Sequence, residues 1–218
     1  MSDLLPLFPL PNVVLFPNVF LPLHIFEARY REMVADALAT DRMIGMVLLR
    51  PGWNRAGREK DAQPPVYPIG CSGVITHVER IVDGRYNIVL RGVERFRIER
   101  EDHQRAYRRA VVERLVDTPL GPRDRSSIQA YRTKLESLVG SGGEGHDAGA
   151  SAGDPRMPVS MSDEDLVHAL AQYLDLEPLE KQALLERDCL RSRAESLVEL
   201  LEMKIMMARS PGGLHVAH

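Results

Sequence analysis

Seven histidines, two cysteines and scattered carboxylates are the side chains from which this 218-residue chain could build catalysis or metal binding. The histidines stand at 24, 77, 103, 146, 168, 215 and 218, and none forms an HExxH-type pair on a predicted helix face. His215 and His218 lie in a terminal tail, and His24 sits in an apolar stretch, where it reads as a satisfied core or turn histidine. Cys71 follows Gly70 in a strand context and reads as small core filling rather than as a reactive thiol. No GxSxG elbow, P-loop or strand-borne GxGxxG occurs, and Gly140 to Gly145 lacks the Gly-Lys-Ser/Thr ending of a phosphate loop. The carboxylates of 162–202 are interleaved with arginines, the pattern of a solvated helix face rather than of a catalytic pair. The expectation is no catalytic residue, no metal and no cofactor.

Residues suited to binding are easier to find. Arg80, Arg85, Arg91, Arg95, Arg97, Arg100, Arg105, Arg108 and Arg109 fall on adjacent predicted strands with Tyr86 and Tyr107 among them. Interleaved Glu79, Glu94, Glu99, Glu101 and Asp102 make a mixed-charge sheet face the first reading and a nucleic-acid surface the second. Trp53, the one tryptophan, lies in a polar loop rich in Pro, Gly and Arg, as a loop anchor or a recognition handle. Met203, Met206 and Met207 close the last predicted helix and suit packing or an adaptable partner surface.

The elements that must position these residues follow from composition and period. A length of 218 residues, 44% apolar and 27% charged residues and a net charge of −3 describe a folded soluble chain with no overall attraction to polyanions. Two isolated cysteines build no disulfide framework, so a reduced, cytoplasmic setting is expected. Residues 4–26 carry no charge and are long enough to span a bilayer, but Pro6, Pro9, Pro11, Pro17 and Pro22 exclude a continuous helix, and no membrane role is expected.

Short strands are predicted over 4–25. A helix follows from near Phe26, with Tyr30, Met33, Val34, Ala37 and Leu38 on one stripe. A buried strand is expected over 43–49. Strands over 69–81 and 85–91 are joined by Val82-Asp83-Gly84, Gly92 breaks the run, and further strands cover 95–99 and 107–116. Helices are predicted over 124–139, from Ser162 with a capping-box-like Asp165, from Pro178, and over 190–207. Residues 140–156 are rich in Gly, Ala and Ser and read as a flexible loop. The expected domains are a β-rich 1–118, a helical 119–210 and a tail 211–218.

Four segments together resemble the N-terminal, substrate-binding domain of Lon protease. They are LPLFPLPNVVLFPNVFLPLHIFEARYREMVADAL (5–38), YPIGCSGVITHVERIVDGRYNIVLRGVERFRI (67–98), LEPLEKQALLE (176–186) and RSRAESLVELL (191–201). The first two carry the specific patterns. The resemblance implies an α+β chain: an N-terminal PUA-like folded β-barrel with one embedded helix, followed by a C-terminal helical bundle. It also implies that Glu27 and Arg29 tie the N-terminal strands to the sheet. Without a P-loop, an ATP-dependent protease is not expected.

The function expected on these grounds is non-enzymatic capture of polypeptide clients or a partner protein. The candidate contacts are Trp53, Met203, Met206, Met207, Arg85 and Tyr86. Self-association is a further expectation from the resemblance. RNA binding through the arginine-rich strands is the alternative, and an uncharacterised small-molecule enzyme ranks last.

Overall fold

The computed structural model describes residues 4–52, 63–141 and 161–209. Its elements are β1 (Leu5–Leu10), β2 (Phe20–Ile25), α1 (Ala28–Leu38), β3 (Met43–Leu48), β4 (Ile69–Arg80), β5 (Tyr86–Asp102), β6 (Arg108–Leu115), α2 (Pro122–Ser141), α3 (Asp163–Tyr173), α4 (Pro178–Leu185) and α5 (Leu190–Arg209). The class is α+β, with a six-stranded sheet ordered β2-β5-β4-β3-β1-β6. A further β5–β6 pairing closes five of the strands into a ring and leaves β2 attached to β5. β5 manages both roles by its length: residues 86–91 pair with β2 and residues 95–102 with β6.

Two prolines are accommodated in β1, which has neighbours on both sides. Pro6 lies in the part paired with β6 and Pro9 in the part paired with β3, and the two pairings overlap only at Leu7. Each proline therefore sits where β1 has one strand beside it, the placement that a missing N–H allows. Leu7, Val47, Phe96 and Ala110 form a buried cluster inside the ring, with Leu5, Val66, Ile98 and Val112 packed on it. Burial of such side chains stabilises by about 1.5–3 kcal/mol each. α1 presents Tyr30, Met33, Val34 and Ala37 as its buried stripe.

Three boundaries differ from expectation. Gly92 does not end a strand; β5 runs through it, with a register shift opposite Ser72 and Gly73. A Cβ at Gly92 would collide with the Phe16 carbonyl oxygen, so the glycine permits a close backbone approach. α2 continues through Gly140 and Ser141, where the loop was expected to begin, and 142–156 lie outside the described residues. Finally, the chain divides into two compact units in an interleaved manner. The first comprises 1–117 with 168–186, the second 118–167 with 187–218. Residues 168–186, expected with the helical part, thus belong with the sheet.

In the first unit the buried amides of α3 and α4 hold main-chain groups of the β region. The Phe16 amide donates to Gln172 Oε1 at 3.2 Å, and Gln182 Nε2 donates to the Ile69 carbonyl at 3.0 Å. α4 starts at Pro178 with a capping box between Glu177 and Glu180. In the second unit α2 and α5 run in the same direction, with Asp124 paired to Arg191 and Lys134 to Glu202. Ser162 Oγ accepts from the Asp165 amide at 3.0 Å, the cap expected for α3.

Candidate functional site

The expected contact residues fall in separate places. Arg85 follows the β4–β5 turn and is held by Asp83, whose carboxylate it approaches to 2.5 Å. The hydrogen bonds from Arg85 keep the Asp83 carboxyl below its usual range. Tyr86 opens β5 beneath the Arg80 guanidinium, 5.8 Å from the ring centroid. These two are neighbours in the first unit. Met203, Met206 and Met207 belong to the second unit and are exposed near the end of α5, Met206 and Met207 each to 65%. Trp53 lies outside the described residues.

Most of the arginine-rich face is internally paired. Arg97 meets Glu113, Arg105 meets Glu32, Arg109 meets Asp102 and Arg114 meets Glu94. Arg109 also draws the Asp102 carboxyl below its ordinary pKa. Arg95 is not on the surface at all. At 5% exposure it donates to the Leu185 carbonyl at 3.0 Å and pairs with Asp117. These pairings are those of the mixed-charge face.

Other expectations change. His24 is neither in the core nor in a turn; it is exposed on β2, with Nδ1 2.7 Å from Asn87 Oδ1. Glu27 and Arg29 bond to one another at 2.8 Å instead of tying strands to the sheet. Cys71 is fully buried, in keeping with core filling.

Two features escaped the sequence reading. The first is exposed aromatic surface on the first unit: Phe20 (50%), Phe26 (61%) and Tyr173 (67%). Tyr173 Oη donates to the Phe20 carbonyl at 3.0 Å, which brings the β2 start and the α3 end together. The second is a cleft of about 170 Å³ where the ends of β1 and β3, the start of α1 and the start of β6 meet. Leu10, Leu49 and Tyr30 supply apolar lining, and Glu27, Arg29, Gln63 and Arg108 supply polar lining. Arg108 is 7% exposed, and burial lowers its pKa. Its signal was its phase: Arg108, Ala110 and Val112 alternate along β6 on the inward-facing register.

The described residues combine a ring of strands, exposed apolar side chains and internally paired charge. A family model for the substrate-binding domain of ATP-dependent protease La (LON) matches residues 4–203. The chain belongs to that family. It is similar to Lon protease 2 of Myxococcus xanthus, with 27% identity over 210 residues, covering 93% of this chain and 24% of that protein. It is also similar to Lon protease of Cytophaga hutchinsonii, with 26% identity, covering 98% of this chain and 26% of that protein. The chain thus spans about a quarter of the length of these relatives.

Two solved structures share the fold. A Lon N-terminal domain protein from Xanthomonas campestris superposes with a TM-score of 0.56 at 22% identity, over 95% of this chain and 99% of that one. The N-terminal domain of a Mycobacterium avium complex Lon protease gives 0.61 at 17% identity, over 91% of this chain and 98% of that one. Among the described residues no helix is long and apolar enough to cross a membrane.

Proposed function

We propose that this chain is a non-enzymatic module that captures exposed apolar segments of polypeptide clients. Its membership in a substrate-binding family supports the reading. The observation that carries it is the exposed aromatic group at Phe20 and Tyr173, joined by the Tyr173–Phe20 hydrogen bond. Aromatic side chains held at a surface give large contact area with little rotamer entropy to lose, and exposed apolar patches mark interaction surfaces. Met203, Met206 and Met207 offer a second, more adaptable apolar surface on the other unit. Arg85 and Tyr86 would contribute polar contacts at the hairpin.

The experiment is fluorescence anisotropy with a labelled, permanently unfolded client against the same client folded. Binding of the unfolded form alone is expected. Phe20→Ser should weaken it by about fivefold to tenfold, the effect of one moderate interface anchor. Equal affinity for folded and unfolded client, or for neither, removes the proposal.

A further inference from the structure

We infer that the cleft between Arg29, Tyr30, Leu49 and Arg108 is a receptor for a carboxylate carried on an apolar residue, in the first instance the C-terminal residue of a bound polypeptide. The inference rests on the polypeptide-binding reading and names a substrate feature for it. Two observations meet in this cleft.

The first is the condition of Arg108. Its guanidinium is buried and positively charged, yet its hydrogen bonds go to neutral oxygens: Nε donates to Gln63 Oε1 and Nη2 to the Pro64 carbonyl at 2.6 Å. Glu101 comes no nearer than 3.5 Å, and Arg108 Nη1 and Glu101 Oε2 are buried without hydrogen-bond partners. A buried guanidinium is normally matched by a carboxylate in bidentate contact, because desolvating the charge is otherwise unfavourable. Gln63 is exposed, and its amide oxygen sits where an incoming carboxylate oxygen would be preferred. Displacing Gln63 uncovers Arg108.

The second observation is the start of α1. The helix has eleven residues, no acidic side chain in its first turn and no side-chain hydrogen bond at its N-cap, because Glu27 is turned to Arg29. A helix N-terminus favours negative charge, and the carboxylate at this end, that of the N-cap Glu27, which also lines the cleft, is engaged by Arg29 rather than by the helix amides.

Size and lining select the rest of the ligand. About 170 Å³ is well short of the roughly 300 Å³ at which drug-sized sites begin. It suits one residue, and Leu10, Leu49 and the Tyr30 ring favour an apolar side chain. Terminal-carboxylate capture is an established way for a domain to recognise a chain end.

The test uses the full chain and a labelled decapeptide ending in leucine, offered as the free acid and as the C-terminal amide. The acid should bind at least about tenfold more tightly, as a charge-assisted contact predicts. Gln63→Ala should tighten acid binding and leave amide binding unchanged, an effect that a merely structural role for Gln63 does not produce. Arg108→Lys should weaken acid binding, with its melting temperature as the folding control. Equal affinity for acid and amide overturns the inference, as does a Gln63→Ala variant that binds the acid no better. N-acetyl-leucine competing as well as the decapeptide would assign the cleft to small carboxylates and remove the polypeptide end. Retained capture of an amidated unfolded client would leave the polypeptide-binding reading standing when the cleft inference fails; loss of all client binding would remove both.

Discussion

Tyr107 shows how a single side chain reports the packing around it. It is buried immediately before β6, and its hydroxyl donates to Asp36 Oδ2 of α1 at 2.6 Å. Burial first, and then the bond to a carboxylate that cannot accept a second negative charge nearby, push its pKa up to about 12. The folded value therefore lies above the unfolded value of 10.0, so the phenol contributes fully below pH 10 and loses its contribution as pH rises through about 12. Denaturant unfolding followed from about pH 9 to 11.5 should show wild-type stability falling more steeply than that of Tyr107→Phe, whose ring cannot ionise. Parallel slopes would show that the Tyr107–Asp36 bond does not hold in solution. At this scale the sequence was legible where residue type and environment agree, as at Cys71, and misleading where they oppose. Arg108 was grouped with its neighbouring arginines because charge implies a surface position, although its alternation with Ala110 and Val112 put it on the buried register. Glu27 and Arg29 were assigned to long-range ties, while their shortest route is to each other.

At the scale of elements, local period settled most assignments. The α1 stripe, the Asp-Gly hairpin and the Pro178 helix start are all encoded within a few residues of where they act. Gly92 failed because its reason is not local: its partner is the Phe16 carbonyl, 76 positions earlier in the numbering, and nothing nearby announces that approach. Pro22 in β2 is the opposite case, a local residue with a consequence for the whole sheet. β2 stands at the end of the strand order, and Pro22 faces Val89. The Gly92 amide bonds to the Val19 carbonyl, so Val19 is a hydrogen-bonded position and Phe20, Pro22 and His24 are not. The nitrogen of Pro22 therefore faces away from β5, toward the open edge, where an N–H would invite another strand. Pro22→Val should change stability by no more than about 1 kcal/mol, since no β5 bond is gained or lost. It should instead promote self-association, seen as a concentration-dependent increase in sedimentation coefficient that wild type does not show. An equally monodisperse Pro22→Val variant would mean that the edge is guarded by something other than the proline.

At the scale of the molecule, the interleaving of the two units is what the sequence concealed. A cut after residue 118 follows the change from strands to helices, but secondary-structure type does not decide which segments pack together. The first unit recruits 168–186 through contacts that are polar at the main chain and apolar at the side chain. Gln172 and Gln182 are buried amides in otherwise ordinary helices, a sign that main-chain groups elsewhere depend on them. Arg95 depends on the same segment, since one of its acceptors is the Leu185 carbonyl. Leu170, Leu176, Leu184 and Leu185 are buried as well. At about 1.5–3 kcal/mol each, these four leucines match the whole of a typical domain's net stability of about 5–15 kcal/mol. A fragment ending at Asp117 keeps every strand of the ring and loses this support, so it should not fold cooperatively. A fragment ending at Glu186 retains it. Amide NMR spectra of the two should differ accordingly: dispersed β-sheet resonances for 1–186, and collapsed or broadened ones for 1–117. If 1–117 instead gave a dispersed spectrum and a melting temperature equal to that of 1–186, the ring would be self-sufficient, and the sheet-to-helix boundary read from the sequence would be the true domain limit.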